Sequence, residues 1–345
     1  MTTAGPAPAQ NLALEALAFA RHAIGATTDT VTISMPGVKL TAATRSPTYR
    51  RALQTALIDN PAYAGMKQDS VLTVVADRRT YPDAPQWAPD ADITAIAVAG
   101  DKSGMFFAHQ GDFNQWQFFD PKALLGVQLM PHSDSYPHWE DSFPLLQFLH
   151  WVTMMQGRRI VHAASLGLDG RGVLIAGSSG AGKSGTTLAG VLNGLQSIGD
   201  DYVLVEPRED GVFAYPLTRI MKQDVRGLVR NGAETDRRFR GPNWQGKHEA
   251  YLSDLMGEEI PVSFELRAIL LPRVSGETRI LPARGVDAMT AMLPSNVVQL
   301  FGGRKYAVSF LSDLVRRLPV YRLELGANPR EIAAVISELL VRGGG

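Results

Sequence analysis

A chain of 345 residues, 45% of them hydrophobic, can bury more than one ordinary core, so two domains are expected. Its 34 Lys and Arg balance 34 Asp and Glu, which removes the net field of a dedicated nucleic-acid binder or of a protein drawn to an acidic membrane. The absence of cysteine excludes disulfides, thiolate metal sites and cysteine nucleophiles, and neither a signal peptide nor an apolar run of the ~18 residues a span needs is visible, so a cytoplasmic protein is expected.

Residues 1–10 are small and Pro-rich and read as a frayed tail, followed by an Ala/Leu-rich helix over 12–24. Residues 31–35 alternate apolar and polar as a half-buried strand does, and Ser46 and Pro47 suit the N-cap and first position of a helix running to about residue 59. Short apolar runs at 71–75, 93–98, 105–108, 116–119 and 124–129, separated by Asp, Pro and Gly, make residues 1–150 a small α+β domain. Its aromatics Trp87, Phe106, Phe107, Trp116, Phe118 and Phe119 read as core rather than as a stacking platform. No chemistry is legible in this domain, and recognition of an acceptor or partner is the role expected of it. Residues 131–139 turn polar, and the apolar helical stretch 143–155 leads into a second domain, 151–345. There a strand over 159–166, a strand over 172–176, a Gly-rich loop, a helix and a strand over 202–206 follow in α/β order.

The strand over 172–176 runs into Gly177, Ser178, Ser179, Gly180, Ala181, Gly182, Lys183 and Ser184, which match G-x-x-x-x-G-K-[ST] at every fixed position, with Gly185 completing the first helical residues. Leu188, Val191, Leu192 and Leu195 then fall at helical spacing, so strand, loop and helix come in the order a phosphate-binding loop requires. Glycines let backbone N–H groups point inward, the helix N-terminus adds partial positive charge, Lys183 reaches terminal phosphates and the Ser184 hydroxyl is suited to Mg²⁺. Directly after that helix stand Gly199, Asp200 and Asp201. Two adjacent carboxylates repel unless a cation or a proton resolves the conflict, so beside a metal-phosphate site one can bind Mg²⁺ while the other accepts a proton; a solvated Asx turn is the bland alternative.

The run His162-Ala-Ala-Ser, the loop GSSGAGKSGTT and the run GDDYVLVE resemble the HPr kinase/phosphorylase-like serine kinases, whose core is similar to that of phosphoenolpyruvate carboxykinases. The resemblance continues through Lys222, Lys247-His-Glu, the run LRAILLP at 266–272 and PVYRLEL at 319–325, from roughly residue 155 onward. It implies an α/β P-loop kinase domain of that type behind the smaller α+β domain, with ATP and Mg²⁺ as cofactors. It also implies that Asp200 is the general base, that Asp201 joins Ser184 on the metal, and that His162 sits against Asp200. Lys183 serves the phosphates, and Arg219, Lys222 and Lys247 are candidates for phosphate or substrate contacts. The family signature of Glu followed by Arg-Gly-Leu-Gly has no counterpart, so phosphorolysis, a third metal ligand and HPr itself do not carry over. Arg226, Arg230, Arg237, Arg238, Arg240 and the loop 241–246 form a basic segment suited to an anionic substrate or the nucleotide, or simply to solvent.

The expected activity is ATP-dependent phosphoryl transfer to a hydroxyl, a serine of a peptide or protein or else a small molecule. An ATP-sensing or ATP-hydrolysing regulatory module is the rival from another class. Carboxykinase chemistry would need an oxaloacetate site that is not visible. Neither nucleic acid nor membrane is expected as a partner, and a homo-oligomer is left open.

Overall fold

The computed structural model describes residues 8–85, 104–132, 136–178, 180–300 and 302–342. Trp87, Ser179 and the expected strand at 93–98 lie outside the described residues. The chain divides into two compact units, Met1–Met155 and Gln156–Gly345. The helix over Leu146–Met155 falls with the first unit, where most of its residues are buried, rather than leading into the second.

The first unit is built on a mixed six-stranded sheet, in the order β1-β2-β3-β6-β5-β4. Its strands are β1 (Thr30–Met35), β2 (Val38–Thr44), β3 (Asp69–Asp77), β4 (Phe106–Gln110), β5 (Gln115–Asp120) and β6 (Leu125–Met130). Strand β2 was not anticipated. The signal was present in Pro36-Gly37: Gly37 takes φ 75°, a conformation open to glycine at little cost, and reverses the chain into an antiparallel hairpin. Helix α1 (Pro8–Ala26) covers one face of the sheet, packing Ala16, Leu17 and Ala20 on Trp116, Phe118, Val127 and Leu129. On the other face Phe119 packs against Phe148 and Trp151 of α3 (Leu146–Met155), and Trp116, Phe118 and Phe119 are core as expected. The same face carries α2 (Pro47–Ala56), capped by the Ser46 hydroxyl accepting from the Tyr49 amide at 3.2 Å.

That second face contains a buried polar cluster. Glu140 accepts from Gln115 Nε2 at 2.8 Å, from Gln128 Nε2 at 2.9 Å and from the Tyr49 hydroxyl, while Gln117 donates to Gln128 Oε1 at 2.7 Å. Burial pushes the Glu140 carboxyl above its ordinary range, against these three donors.

The second unit has a mixed sheet in which β14 (Phe264–Val274) is central. It pairs in parallel with β9 (Arg171–Ile175) and with β16 (Val320–Leu325), and antiparallel with β11 (Val212–Tyr215). Strand β8 (Ala164–Leu168) continues the sheet beyond β9, and β15 (Arg279–Pro282) continues it beyond β16. On the β11 side follow β10 (Val203–Pro207) and β7 (Arg159–Val161). The single strand expected over 159–166 is thus two strands. The chain leaves its β10 partner after Val161 and joins β9 from Ala164, so His162 and Ala163 sit where the sheet forks. Helix α4 (Lys183–Val191) follows β9 and stops four residues short of Leu195, because Gly194 takes φ 91°. A two-stranded ribbon of β12 (Ile220–Gln223) and β13 (His248–Tyr251) flanks two short helices, α5 (Val225–Arg230) after β12 and α6 (Leu252–Met256) after β13. Helices α7 (Gly285–Val298), α8 (Arg304–Arg317) and α9 (Pro329–Arg342) complete the unit, the last burying Ile332, Ile336 and Leu340 at helical spacing. Among the described residues no helix is long and apolar enough to cross a membrane.

Candidate active site

The loop between β9 and α4 begins where the Ala176 amide bonds to the Leu270 carbonyl of β14 at 2.9 Å, so the sheet fixes its point of departure. Within it the Ala181 amide bonds back to the Ser178 carbonyl at 3.2 Å. Gly182 is the residue just before the helix. Its φ of 106° and the 2.7 Å that would separate a Cβ there from Leu325 Cδ1 leave room for glycine alone. No side chain caps this helix start and its first turn holds no acid, so the free amides of the first turn are available to an anion. Lys183 is buried, and its Nζ donates to the carbonyls of Gly177 at 2.7 Å and Ser178 at 3.2 Å, folding back over the loop. Burial lowers its affinity for a proton, while Asp201 and Asp200 act in the opposite sense.

The acidic pair is held by main chain. Residues 196–199 run beside β8: Gly167 and Gln196 exchange amide-to-carbonyl bonds at 2.8 and 2.9 Å, and the Ser165 amide donates to the Gly199 carbonyl at 2.9 Å. The Ser165 hydroxyl also accepts from the Ile198 amide at 3.1 Å. Gly199 permits the tight approach, since a Cβ there would lie 2.7 Å from the Tyr202 carbonyl oxygen. Because β8 neighbours β9, Asp200 and Asp201 are delivered beside the glycine-rich loop.

The two carboxylates have different surroundings. Asp200 is 3% exposed; its Oδ2 accepts from the Lys222 amide at 3.2 Å and its Oδ1 is buried without a hydrogen-bond partner among the described residues. Burial first, and then the charge of Asp201, push its carboxyl up to about 6, against the pull of the Lys222 amide, the neighbouring Ser184 hydroxyl and Lys247. Asp201, with a side chain 36% exposed, accepts at Oδ1 from His162 Nε2 across 3.0 Å. Burial would raise Asp201 too, but the His162 contact and charge, with Lys222 and Lys247, outweigh it and hold the carboxyl below its ordinary range.

This corrects the expected pairing. His162 sits against Asp201, not Asp200, and Ser184 stands beside Asp200. The reason is the fork of the sheet: His162 lies one residue beyond β7, whose Val161 pairs with Val203 of β10, so its ring reaches the residues just before β10. The histidine is further fixed by its amide donating to Asn296 Oδ1 at 2.9 Å and by the Tyr202 ring 5.2 Å away.

Lys222 and Lys247 are both close enough to act on the aspartates, at the end of the ribbon where Gln223 pairs with His248. Arg219 precedes β12, and its carbonyl accepts from the Leu252 amide at 2.8 Å. Two residues escaped sequence reasoning. Asn296, in α7, holds His162 from a distance of 134 positions, with no sequence signal. Arg159 is fully buried and donates from Nη2 to the Asn296 carbonyl at 2.6 Å in the last turn of α7, where a cation suits the helix dipole. Burial lowers it to about 10. Among the described residues no group of three or more His, Cys, Asp or Glu could cage a metal by itself.

No family model matches the chain, and no curated protein does. Among solved structures it is similar to the Hpr(Ser) kinase/phosphatase from Coxiella burnetii, at 13% identity over 54% of this chain and 99% of that one, with a TM-score of 0.30. A likeness this slight transfers neither fold detail nor activity.

Proposed function

We propose that the second unit transfers the γ-phosphoryl group of ATP to a hydroxyl, most simply a serine of a peptide or protein. The observation that carries this reading is one arrangement: an uncapped helix start with Lys183 and Ser184 in its first turn, faced by two carboxylates of opposite character. The loop amides and Lys183 would hold the phosphates, Lys183 exchanging the Gly177 and Ser178 carbonyls for phosphate oxygens.

The residues fit a divalent cation. Asp200 has a buried oxygen without a hydrogen-bond partner among the described residues, a like charge next to it and the Ser184 hydroxyl beside it, a combination that a cation relieves. A nucleotide-bound Mg²⁺ needs only one or two protein ligands, since waters and phosphates complete its shell. Ser184 and Asp200 are therefore the ligands we assign, in place of Ser184 and Asp201. When bound there, Mg²⁺ supplies positive charge to the phosphate oxygens.

Asp201 then takes the role first expected of Asp200. It is the more accessible carboxylate, it stays ionised, and His162 orients it. It would accept the proton of the acceptor hydroxyl as that oxygen bonds to the γ-phosphorus and the bond from phosphorus to the ADP oxygen breaks.

Calorimetry with Mg-ATP on the full chain tests the nucleotide site: Lys183→Ala should lose most of the affinity, and equal affinity in parent and variant would remove the assignment. Incubation with labelled ATP and a cell extract should then yield a phosphoserine product with the parent and none with Asp201→Asn. Release of phosphate from ATP without any labelled acceptor would favour the regulatory ATPase instead.

A further inference from the structure

The residues beside the aspartates are basic in a chain that is neutral as a whole. Between Arg219 and Tyr251 stand eight Lys and Arg against four Asp and Glu. Three of those acids are occupied locally: Asp224 caps α5 by accepting from the Gly227 amide at 2.7 Å, Asp236 pairs with Arg238, and Glu249 accepts from Asn243 at 2.7 Å. Arg238 also spends its guanidinium on the Asp254 and Leu255 carbonyls, and Arg240 lies over the Tyr251 ring at 4.8 Å. Arg237, just before Arg238, and Arg226 and Arg230 on α5 are left, all exposed and, among the described residues, in no ion pair.

On the same short helix Val225 and Val229 are 53% and 57% exposed. Each pair is four residues apart, so α5 presents an apolar ridge with a row of two unpaired cations beside it. The inner side of the helix buries Gly227 and Leu228, and Asn231 at its end donates to the Gly185 carbonyl at 3.5 Å, which lays α5 alongside the start of α4. Val225 follows Lys222 by three residues, and the Lys222 amide touches Asp200, so about 10 Å of chain at most separates strip and carboxylates.

We infer that α5 is a docking strip for the acceptor, and that the acceptor is an acidic peptide segment. Its apolar residue covers Val225 and Val229, and its carboxylates, about three to six residues from the hydroxyl at roughly 3.3 Å each, meet Arg226 and Arg230. That the segment carries the phosphorylated hydroxyl rests on the kinase reading above; that it binds α5 does not.

The probe is a short fluorescein-labelled peptide with one serine and, a few residues away, a leucine and two glutamates; its control has lysine for each glutamate. Anisotropy with the full chain should show the acidic peptide binding at least about tenfold more tightly than the control, with the preference shrinking as salt rises. R226E/R230E should abolish or invert that preference and leave Mg-ATP affinity within about twofold, since exposed side chains off the phosphate loop contribute little to it. V225A/V229A should weaken the acidic peptide while keeping the charge preference. Equal binding of both peptides by the parent, a preference unchanged in R226E/R230E, or tighter binding of a DNA oligonucleotide of the same charge would overturn the inference. If Mg-ATP fails to bind while the peptide preference holds, the kinase reading falls and the docking strip stands.

Discussion

Replacing Asp200 by asparagine should make the metal-free protein more stable at neutral pH, in a way that grows with pH. In the fold this carboxyl is buried beside Asp201 and ionises near 6 instead of at its ordinary 3.8. The folded protein therefore holds a proton that the unfolded chain releases. The stabilising contribution of that proton is complete below about pH 4 and is lost as the pH climbs through about 6. The difference of about 2 units corresponds to an upper figure of about 3 kcal/mol, roughly half of it lost by pH 5 and the rest by about pH 7. Asp201 does not blur this window, because its lowered carboxyl adds stability above its ordinary value and loses it only as the pH falls further. Asparagine cannot ionise, yet its carbonyl still accepts from the Lys222 amide. In EDTA, urea unfolding followed by circular dichroism should show Asp200→Asn gaining stability over the parent, with a gain about 1.4 kcal/mol larger at pH 8 than at pH 5. Addition of Mg²⁺ and ATP should reverse the order, since the parent then has the ligand that the variant lacks. A stability difference that is the same at both pH values would refute the reasoning, because an uncompensated buried charge could not then be its source.

Asp201→Asn should bind Mg-ATP within about twofold of the parent and lose about 10²- to 10⁴-fold in transfer rate, read as initial rates with labelled ATP. His162→Ala should lose less and displace the pH profile of transfer, because it acts through Asp201. Gly182→Ala should cost about 1–3 kcal/mol in urea unfolding, since φ of 106° and contact with Leu325 both oppose a side chain. Gly126→Ala should cost a similar ~1–3 kcal/mol, its Cβ meeting the Phe148 ring at 2.7 Å in the first unit.

What was legible in the sequence was local. The helix start at Ser46 and Pro47 and the helix that begins at Lys183 each depend on neighbours within a turn or two, and each stands where expected. The partners of His162 were not legible, because they depend on where β7 leaves β10, and a strand that changes partner reads as one continuous apolar run from 159 to 166. Strand β2 was overlooked for a different reason: Lys39, Thr41 and the alanines at 42 and 43 make a weakly apolar run whose burial comes from its two strand neighbours. The opposite characters of Asp200 and Asp201 are likewise tertiary: burial and its neighbour's charge raise Asp200, while His162, 39 positions away, holds Asp201 down.

The pairing of residues 196–199 with β8 makes the spacing of the acidic pair a matter of register. Substituting Gln196 leaves its amide-to-carbonyl bonds in place, so that side chain can drift while the carboxylates stay put, whereas Ser197 and Ile198 are buried and the Ser197 hydroxyl accepts from the Gly199 amide at 3.2 Å. Changing the length of that stretch is another matter. One residue removed between Gln196 and Gly199 would advance the chain by a step, bring Asp201 to the buried place of Asp200, and leave His162 facing Tyr202. The turn at Asn193 and Gly194, outside the paired stretch, is where the chain can lengthen without moving either carboxylate.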